Sequence, residues 1–197
     1  MNDRKQIIFP PALEKIQTES EALGFSMISE PLTGSLLRTL AASKPGGMFL
    51  ELGTGTGAST SWLLDGMDRN SQLISIENDA TVASVAKKHL ESDRRVKFQT
   101  IDAGSWLNQV AEQKFDFIFA DAWTGKYSHL EETLRLLKPG GLYIVDDMLS
   151  QPSWPATDHA KKVNELILAL ENTENLVVTK INWSSGIIIA TLRSPDQ

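Results

Sequence analysis

The 197-residue sequence contains no cysteine, which excludes disulfides, thiolate metal sites and cysteine nucleophiles. It also has no apolar run approaching the ~20 residues that a membrane-spanning helix needs. Near the start, Ile7-Ile8-Phe9 is too short for the core of a secretory signal and two prolines follow it at once, so a cytoplasmic location is expected. Positive charge is scarce. Lys and Arg number 19 against 25 Asp and Glu, a formal net charge of −6 that argues against nucleic acid as a partner. What remains, 41% hydrophobic and 22% charged residues, is the composition of a folded chain. The length suits a single domain, with N-terminal helices in residues 1–45 and a core in 46–197.

Patterning supports that division. Leu13, Ile16 and Leu23 recur at helical spacing up to Gly24, and Leu36, Leu37 and Leu40 do so up to Pro45-Gly46-Gly47, which predicts helices over 13–23 and 32–42. Beyond them, apolar runs at 48–52, 73–76, 96–101, 115–120 and 142–145 alternate with helix-like segments near 59–67, 80–90, 105–111 and 129–137. Such alternation predicts a parallel sheet covered on both faces. A helix over 159–170 then precedes runs at 176–181 and 186–192, separated only by Asn182 to Ser185. So short a link forces an antiparallel pair, because parallel neighbours need a crossover of a dozen or more residues. The expected fold class is α/β: a seven-stranded, mostly parallel sheet with helices on both faces and a C-terminal antiparallel hairpin.

The chain is organised around Phe49-Leu50-Glu51-Leu52-Gly53-Thr54-Gly55-Thr56-Gly57-Ala58-Ser59-Thr60. An apolar run ends in an acid, turns through three alternating glycines and opens into a helix, as nucleotide-binding turns in α/β folds do. Glu77 ends the next run, close to where an acid that holds ribose hydroxyls is expected. These features fit either a dinucleotide or a nucleoside sulfonium. Glu51 separates the two, since a carboxylate there disfavours a pyrophosphate and suits a cofactor carrying ammonium and sulfonium charges.

Downstream, Asp121 ends one run and Asp146-Asp147 end the next. Adjacent strands lie ~4.8 Å apart, so carboxylates at neighbouring ends can converge on one cation. Asp146 and Asp147 can share it only if the chain turns immediately after Val145, because consecutive side chains on a strand point to opposite faces. Three carboxylates without a cation would repel one another, and all-oxygen ligands suit Mg²⁺ or Ca²⁺. The same acids can equally be loop residues that cap helices. Trp123 and Trp154 follow the two acid sites and either rim a substrate pocket or pack in the core. His129 and His159 fall on expected helices and read as packing or surface residues.

Four stretches in order, LELGTGTGAST, ISIE ending at Glu77, FIFADAW around Asp121 and GGLYIVDDM around Asp146 and Asp147, resemble the S-adenosylmethionine-dependent methyltransferases. More closely, the chain resembles the metal-dependent catechol and caffeoyl-CoA O-methyltransferases, over roughly residues 27 to 150. The resemblance implies a Rossmann-like methyltransferase fold and a homodimer. It implies that Glu51, Gly53, Thr54 and Gly55 line the methionine part of the cofactor, with Ser59 near the helix start. Glu77 would bind the ribose hydroxyls and Asp102 and Ala103 would meet the adenine. Met27 and Ser29 would close over cofactor and substrate. On the residues alone, Ser59 can equally cap a helix, Asp102 begin a turn and Met27 pack in the core.

Asp121, Asp146 and Asp147 correspond to the family's metal ligands, Asp121 also facing the cofactor and standing with Lys126 as a catalytic candidate. The family carries Asn where this chain has Asp147, a change that keeps an oxygen ligand but adds charge, so Mn²⁺ or Ca²⁺ joins Mg²⁺ as the implied ion. Lysine three positions after the first metal aspartate is replaced by Thr124, which leaves Lys126 as the nearby catalytic substitute or as a solvated loop charge. The implied reaction is metal-assisted methylation of a small hydroxylated, catechol-like molecule, with a hydroxyl of a vicinal pair on the ion. Competing expectations are an aminopropyltransferase with an acidic polyamine pocket, a nicotinamide-dependent oxidoreductase, and a cofactor-binding module without catalysis.

Overall fold

The computed structural model describes residues 2–110, 113–149 and 156–194. Among them lie seven helices and seven strands, in the order α1 (Leu13–Leu23), α2 (Pro31–Ala42), β1 (Met48–Leu52), α3 (Ala58–Gly66), β2 (Gln72–Glu77), α4 (Ala80–Leu90), β3 (Val96–Thr100), α5 (Ala103–Gln109), β4 (Phe115–Ala120), α6 (Leu130–Arg135), β5 (Leu137–Val145), α7 (Ala156–Glu171), β6 (Leu176–Ile181) and β7 (Ile187–Leu192). All strands join one sheet in the order β3-β2-β1-β4-β5-β7-β6. Strands β1 to β5 pair in parallel, and β7 runs antiparallel to both β5 and β6. The expected α/β sheet with its closing hairpin is therefore present, and β7 is its one reversed strand.

Alternation along β1 sets the two layers. Phe49 packs with Leu13, Ile16, Leu37, Trp62 and Leu63 from α1, α2 and α3 on one face. Leu50 and Leu52 pack with Leu107, Leu136, Leu166 and Leu170, which come from the side of α5, α6 and α7. Strand side chains point alternately up and down, so consecutive apolar residues mark a strand covered on both faces. Burying such side chains contributes roughly 1.5–3 kcal/mol each, which ties this central strand to both helical layers.

Two elements differ from expectation. The segment over 129–137 yields only α6, and Leu137 already pairs with Phe115 as the first residue of β5. The register then jumps so that Phe117 meets Leu142. Lys138-Pro139-Gly140-Gly141 is thus taken up inside β5 as an irregularity, where the sequence reads as a turn before a shorter strand. His129, expected within a helix, is the residue before α6, with φ of 54°.

The register brings the site together. Leu52 lies opposite Ile76 on one side and Ala120 on the other, and Ala120 lies opposite Val145. The next residue of each strand end is Glu77, Gly53, Asp121 and Asp146. All four stand in one row at the carboxyl edge of the sheet. The strand order reverses between β1 and β4, which is where open α/β sheets form a ligand crevice. No helix among the described residues is long and apolar enough to cross a membrane.

Candidate active site

A cavity of about 740 Å³ opens above that row, with Gly53, Glu77, Asp121 and Asp146 all in its wall. The glycine turn forms one end. Gly53 has φ of 100°, and a Cβ there would lie 3.1 Å from the backbone of Asp121 and Ala122. Gly57 has φ of 95°, and a Cβ would lie 2.8 Å from Ala86. The turn therefore packs β1 against both β4 and α4 at distances that a side chain would break. Gly57 also precedes α3 as its N-cap, so Ser59 lies inside the helix, where it faces the cavity and does not cap.

Glu77 reaches back to this turn. Its Oε2 accepts the Gly55 amide at 2.9 Å, and its Oε1 accepts the amides of Asn78 and Asp79 at 2.9 and 3.1 Å. The carboxylate is held in place and keeps lone pairs free toward the cavity. Asp102 caps α5 by accepting the Ser105 amide at 2.7 Å, a bond that lowers its pKa, and Ala103 follows it in the cavity wall.

Glu51 lies beneath this wall, fully buried, and is not itself one of the cavity-lining residues. Its Oε2 accepts hydroxyls from Thr60 and Ser75, both at 2.5 Å, and Thr54 bonds Ser75 in turn. Its Oε1 has no partner among the described residues. Burial pushes the Glu51 pKa up to about 7, against the hydroxyls of Ser75, Thr60 and Ser59 that favour the charged form.

The other end of the cavity is acidic around one lysine. Asp121 Oδ2 accepts the Ser29 hydroxyl at 3.3 Å, and Asp121 Oδ1 stands 3.9 Å from Lys126 Nζ. Lys126 is 3% exposed and donates to the Asp146 carbonyl at 3.2 Å. Asp146 Oδ1 accepts the Asp147 amide at 2.8 Å and also the Ser185 hydroxyl. Burial, followed by the Asp146 carboxylate, holds the Asp121 pKa well above the usual range, while Lys126 opposes the shift. Burial and then Asp147 raise Asp146 as well.

Met27 and Trp123 border the cavity and are 69% and 58% exposed, so Met27 is not a core residue and Trp123 is not a buried indole. Trp123 packs edge-on to Tyr127, with Lys162 Nζ 5.0 Å from its ring centre. Trp154 lies outside the described residues. His159 is 6% exposed and its ring bonds the Asp147 carbonyl at 2.9 Å, a tie to the acidic corner that helix placement alone did not indicate. Phe25, Asp79, Val82 and Ser185 also line the cavity. None of these four carries a sequence signal of its own. Phe25 arrives from the link before α2 and Ser185 from the β6–β7 turn, which also bonds Thr33 of α2.

A family model described as a methyltransferase domain matches residues 50–148, the stretch from β1 through the acidic corner. A catechol O-methyltransferase of Niastella koreensis is 31% identical over 151 residues, covering 70% of this chain and 68% of its own. The chain belongs to the S-adenosylmethionine-dependent O-methyltransferases. The O-methyltransferase of Bacillus cereus, solved in complex with SAH, superposes with a TM-score of 0.83 at 23% identity over 96% of this chain and 94% of its own. TomG of Streptomyces achromogenes, involved in tomaymycin synthesis and solved with SAM, gives 0.80 at 21% identity over 96% and 93%. These two likenesses are likenesses of fold. Membership in this methyltransferase family decides between the methyl donor and the dinucleotide that the glycine turn alone left open.

The cavity fits that methyl donor. The glycine turn leaves no side chain between backbone and ligand, Glu77 offers pre-set acceptors, and the orphaned Glu51 Oε1 is an acceptor without a donor. The expected metal set does not fit as well. The chain does turn directly after Val145, and Asp121, Asp146 and Asp147 all line the cavity. Yet among the described residues no three carboxylate or imidazole groups are arranged to hold an ion. Asp147 adopts a left-handed φ of 62°, Asp146 turns one oxygen to Ser185 and the Asp147 amide, and the Lys126 ammonium reaches into the same corner.

Proposed function

We propose that this O-methyltransferase methylates a hydroxyl of a small aromatic molecule, bound between the glycine turn and the Asp121–Lys126 corner. The observation that carries this reading is the single row of Glu77, Gly53, Asp121 and Asp146 along one cavity. It supports a site in which acceptors suited to a nucleoside lie beside carboxylates suited to taking a proton. The catechol O-methyltransferase name of the Niastella koreensis relative supports a phenolic acceptor.

In this reading Glu77 accepts the ribose hydroxyls while its own backbone bonds keep it from turning away. Asp102 and Ala103 border the adenine, and Gly53, Thr54, Gly55 and Ser59 border the methionine portion above Glu51. Met27 and Ser29 close the open side. S-adenosylmethionine supplies an electrophilic methyl on a positively charged sulfur. The acceptor oxygen gains that carbon, the sulfur keeps the bonding pair, and the hydroxyl proton goes to the Asp121 carboxylate. Its burial makes Asp121 a stronger base than a solvated aspartate. Lys126 balances the charge, and the cavity contributes chiefly alignment.

Incubation with methyl-labelled S-adenosylmethionine and a panel of phenols tests the reading by mass spectrometry of the products. An O-methyl ether with equimolar S-adenosylhomocysteine is expected. Cofactor binding with no product from any phenol would overturn the acceptor class and leave the cofactor assignment standing.

A further inference from the structure

We propose that the Lys126 ammonium does the work of a divalent cation in this enzyme, so that it engages a single acceptor hydroxyl and needs neither metal nor a vicinal second hydroxyl. The inference rests on the methyl-transfer reading above and narrows it to acceptors with one hydroxyl at the reacting corner.

Lys126 is almost completely buried, yet it lines the cavity. A buried ammonium is expensive unless it is paired and hydrogen-bonded. Here Asp121 and Asp146 surround it, one through its carboxylate at 3.9 Å and the other through its carbonyl at 3.2 Å. The ammonium has three donors and the Asp146 carbonyl takes one of them. A separation of 3.9 Å is too long for a direct hydrogen bond to Asp121. It is the right span for one oxygen atom placed ~2.8 Å from both groups, donating to the carboxylate and accepting from the ammonium. A phenolic hydroxyl is such an atom. Once deprotonated it faces a fixed positive charge that is buried and held in place before the reaction begins.

The loop that carries Lys126 is built to hold it there. The Gly125 amide donates to the Ser128 carbonyl at 2.7 Å, the Tyr127 amide donates to Trp123 at 2.9 Å, and the buried Tyr143 hydroxyl donates to the Gly125 carbonyl. The Tyr127 ring stands 5.8 Å from the ammonium. A magnesium ion in this corner would need carboxylate oxygens at ~2.0–2.1 Å in near-octahedral geometry. It would share them with a like charge, and Asp146 Oδ1 is already committed to Ser185 and the Asp147 amide. A metal ion with several open positions can chelate two adjacent hydroxyls. An ammonium directs its free donors at one oxygen, so a lone hydroxyl satisfies it.

The test compares a monohydroxy phenol with the matching catechol, each with EDTA and with added Mg²⁺, and follows Mn²⁺ uptake by electron paramagnetic resonance on S-adenosylhomocysteine-loaded protein. We expect turnover of the monohydroxy phenol that EDTA leaves within about two-fold and an unchanged free-Mn²⁺ spectrum. Lys126→Met should lose about 100-fold in kcat, as removal of an oxyanion-stabilising group does, and Lys126→Arg should recover part of it. Retained S-adenosylhomocysteine affinity in Lys126→Met shows that the variant is folded. Turnover abolished by EDTA and restored by Mg²⁺, or Mn²⁺ uptake that Asp121→Asn removes, overturns the proposal without any variant of Lys126. If no phenol reacts in either condition, the acceptor class fails instead, and the Mn²⁺ spectrum still decides the role of Lys126.

Discussion

The Glu77 carboxylate accepts the Gly55 amide at 2.9 Å, which ties the end of β2 to the tip of the glycine turn. One side chain therefore shapes the turn and presents the acceptors that a ribose needs. Glu77→Ala should weaken S-adenosylhomocysteine binding by about 2–4 kcal/mol, because charge-assisted bonds of this type contribute roughly 1.5–3 kcal/mol each. Isothermal titration measures it, and a loss below ten-fold would argue that Glu77 serves the turn alone.

The ligand-free protein should lose stability as the pH rises through neutrality because of Glu51. Its folded pKa of about 7 exceeds the ordinary 4.5, so the native state binds more protons between those values. Its contribution is complete below pH ~4.5 and is lost as pH rises through ~7, amounting to roughly 3 kcal/mol. Melting curves of wild type and Glu51→Gln between pH 5 and 8 should diverge, with the wild type falling relative to the variant. Parallel curves would mean that Glu51 is charged in the native state.

Gly34 in α2 offers a packing test remote from chemistry. A Cβ there would lie 2.2 Å from Trp62 Nε1 of α3, and Trp62 is completely buried. Gly34→Ala should destabilise by about 1–3 kcal/mol through overpacking. Adding Trp62→Phe should cost less than the sum of the two single changes, since it vacates the space that the methyl needs. Urea unfolding of the four proteins provides the cycle.

Trp123 is exposed in the cavity wall beside Tyr127, and in the proposed reading it would touch the acceptor and not the cofactor. Trp123→Ala should raise the acceptor KM about ten-fold, in line with the ~1 kcal/mol or more of an aromatic contact, and leave S-adenosylhomocysteine affinity within two-fold. A matched fall in cofactor affinity would move Trp123 to the other half of the site.

What could be foreseen from the sequence follows how local the physics is. The strands at 48–52 and 115–120 were legible because each is short, apolar and bounded by turn residues, and both ends match the observed β1 and β4. The glycine turn with Glu77 was legible because backbone clearance and acceptor spacing leave a mark in a single stretch of chain. The start of β5 was not, since Pro139, Gly140 and Gly141 signal a turn and only pairing with Phe115 draws Leu137 into the sheet. The metal set read from Asp121, Asp146 and Asp147 was a matter of residue type. How those side chains point depends on Ser185, Lys126 and a left-handed Asp147, which tertiary contact supplies.

The longest bonds on the two sides of the cavity differ in how far along the chain they reach. At the glycine turn the bonds span 22 and 24 residues, from Gly55 to Glu77 and from Glu51 to Ser75. In the acidic corner Lys126 and Ser185 reach Asp146 over 20 and 39 residues, but the bonds that dock the N-terminal segment span 92 and 152, from Ser29 to Asp121 and from Thr33 to Ser185. Loop-closure entropy rises with span and must be met before such bonds can form, so the nucleoside half should mature first during folding and the acceptor half last. Pulse-labelled hydrogen exchange during refolding should protect the Gly55 amide before that of Leu149, which donates to the Ser185 carbonyl at 2.8 Å, and simultaneous protection would show the two halves to be one cooperative unit. A chain caught between those moments would already hold the methyl donor and have no corner in which to use it.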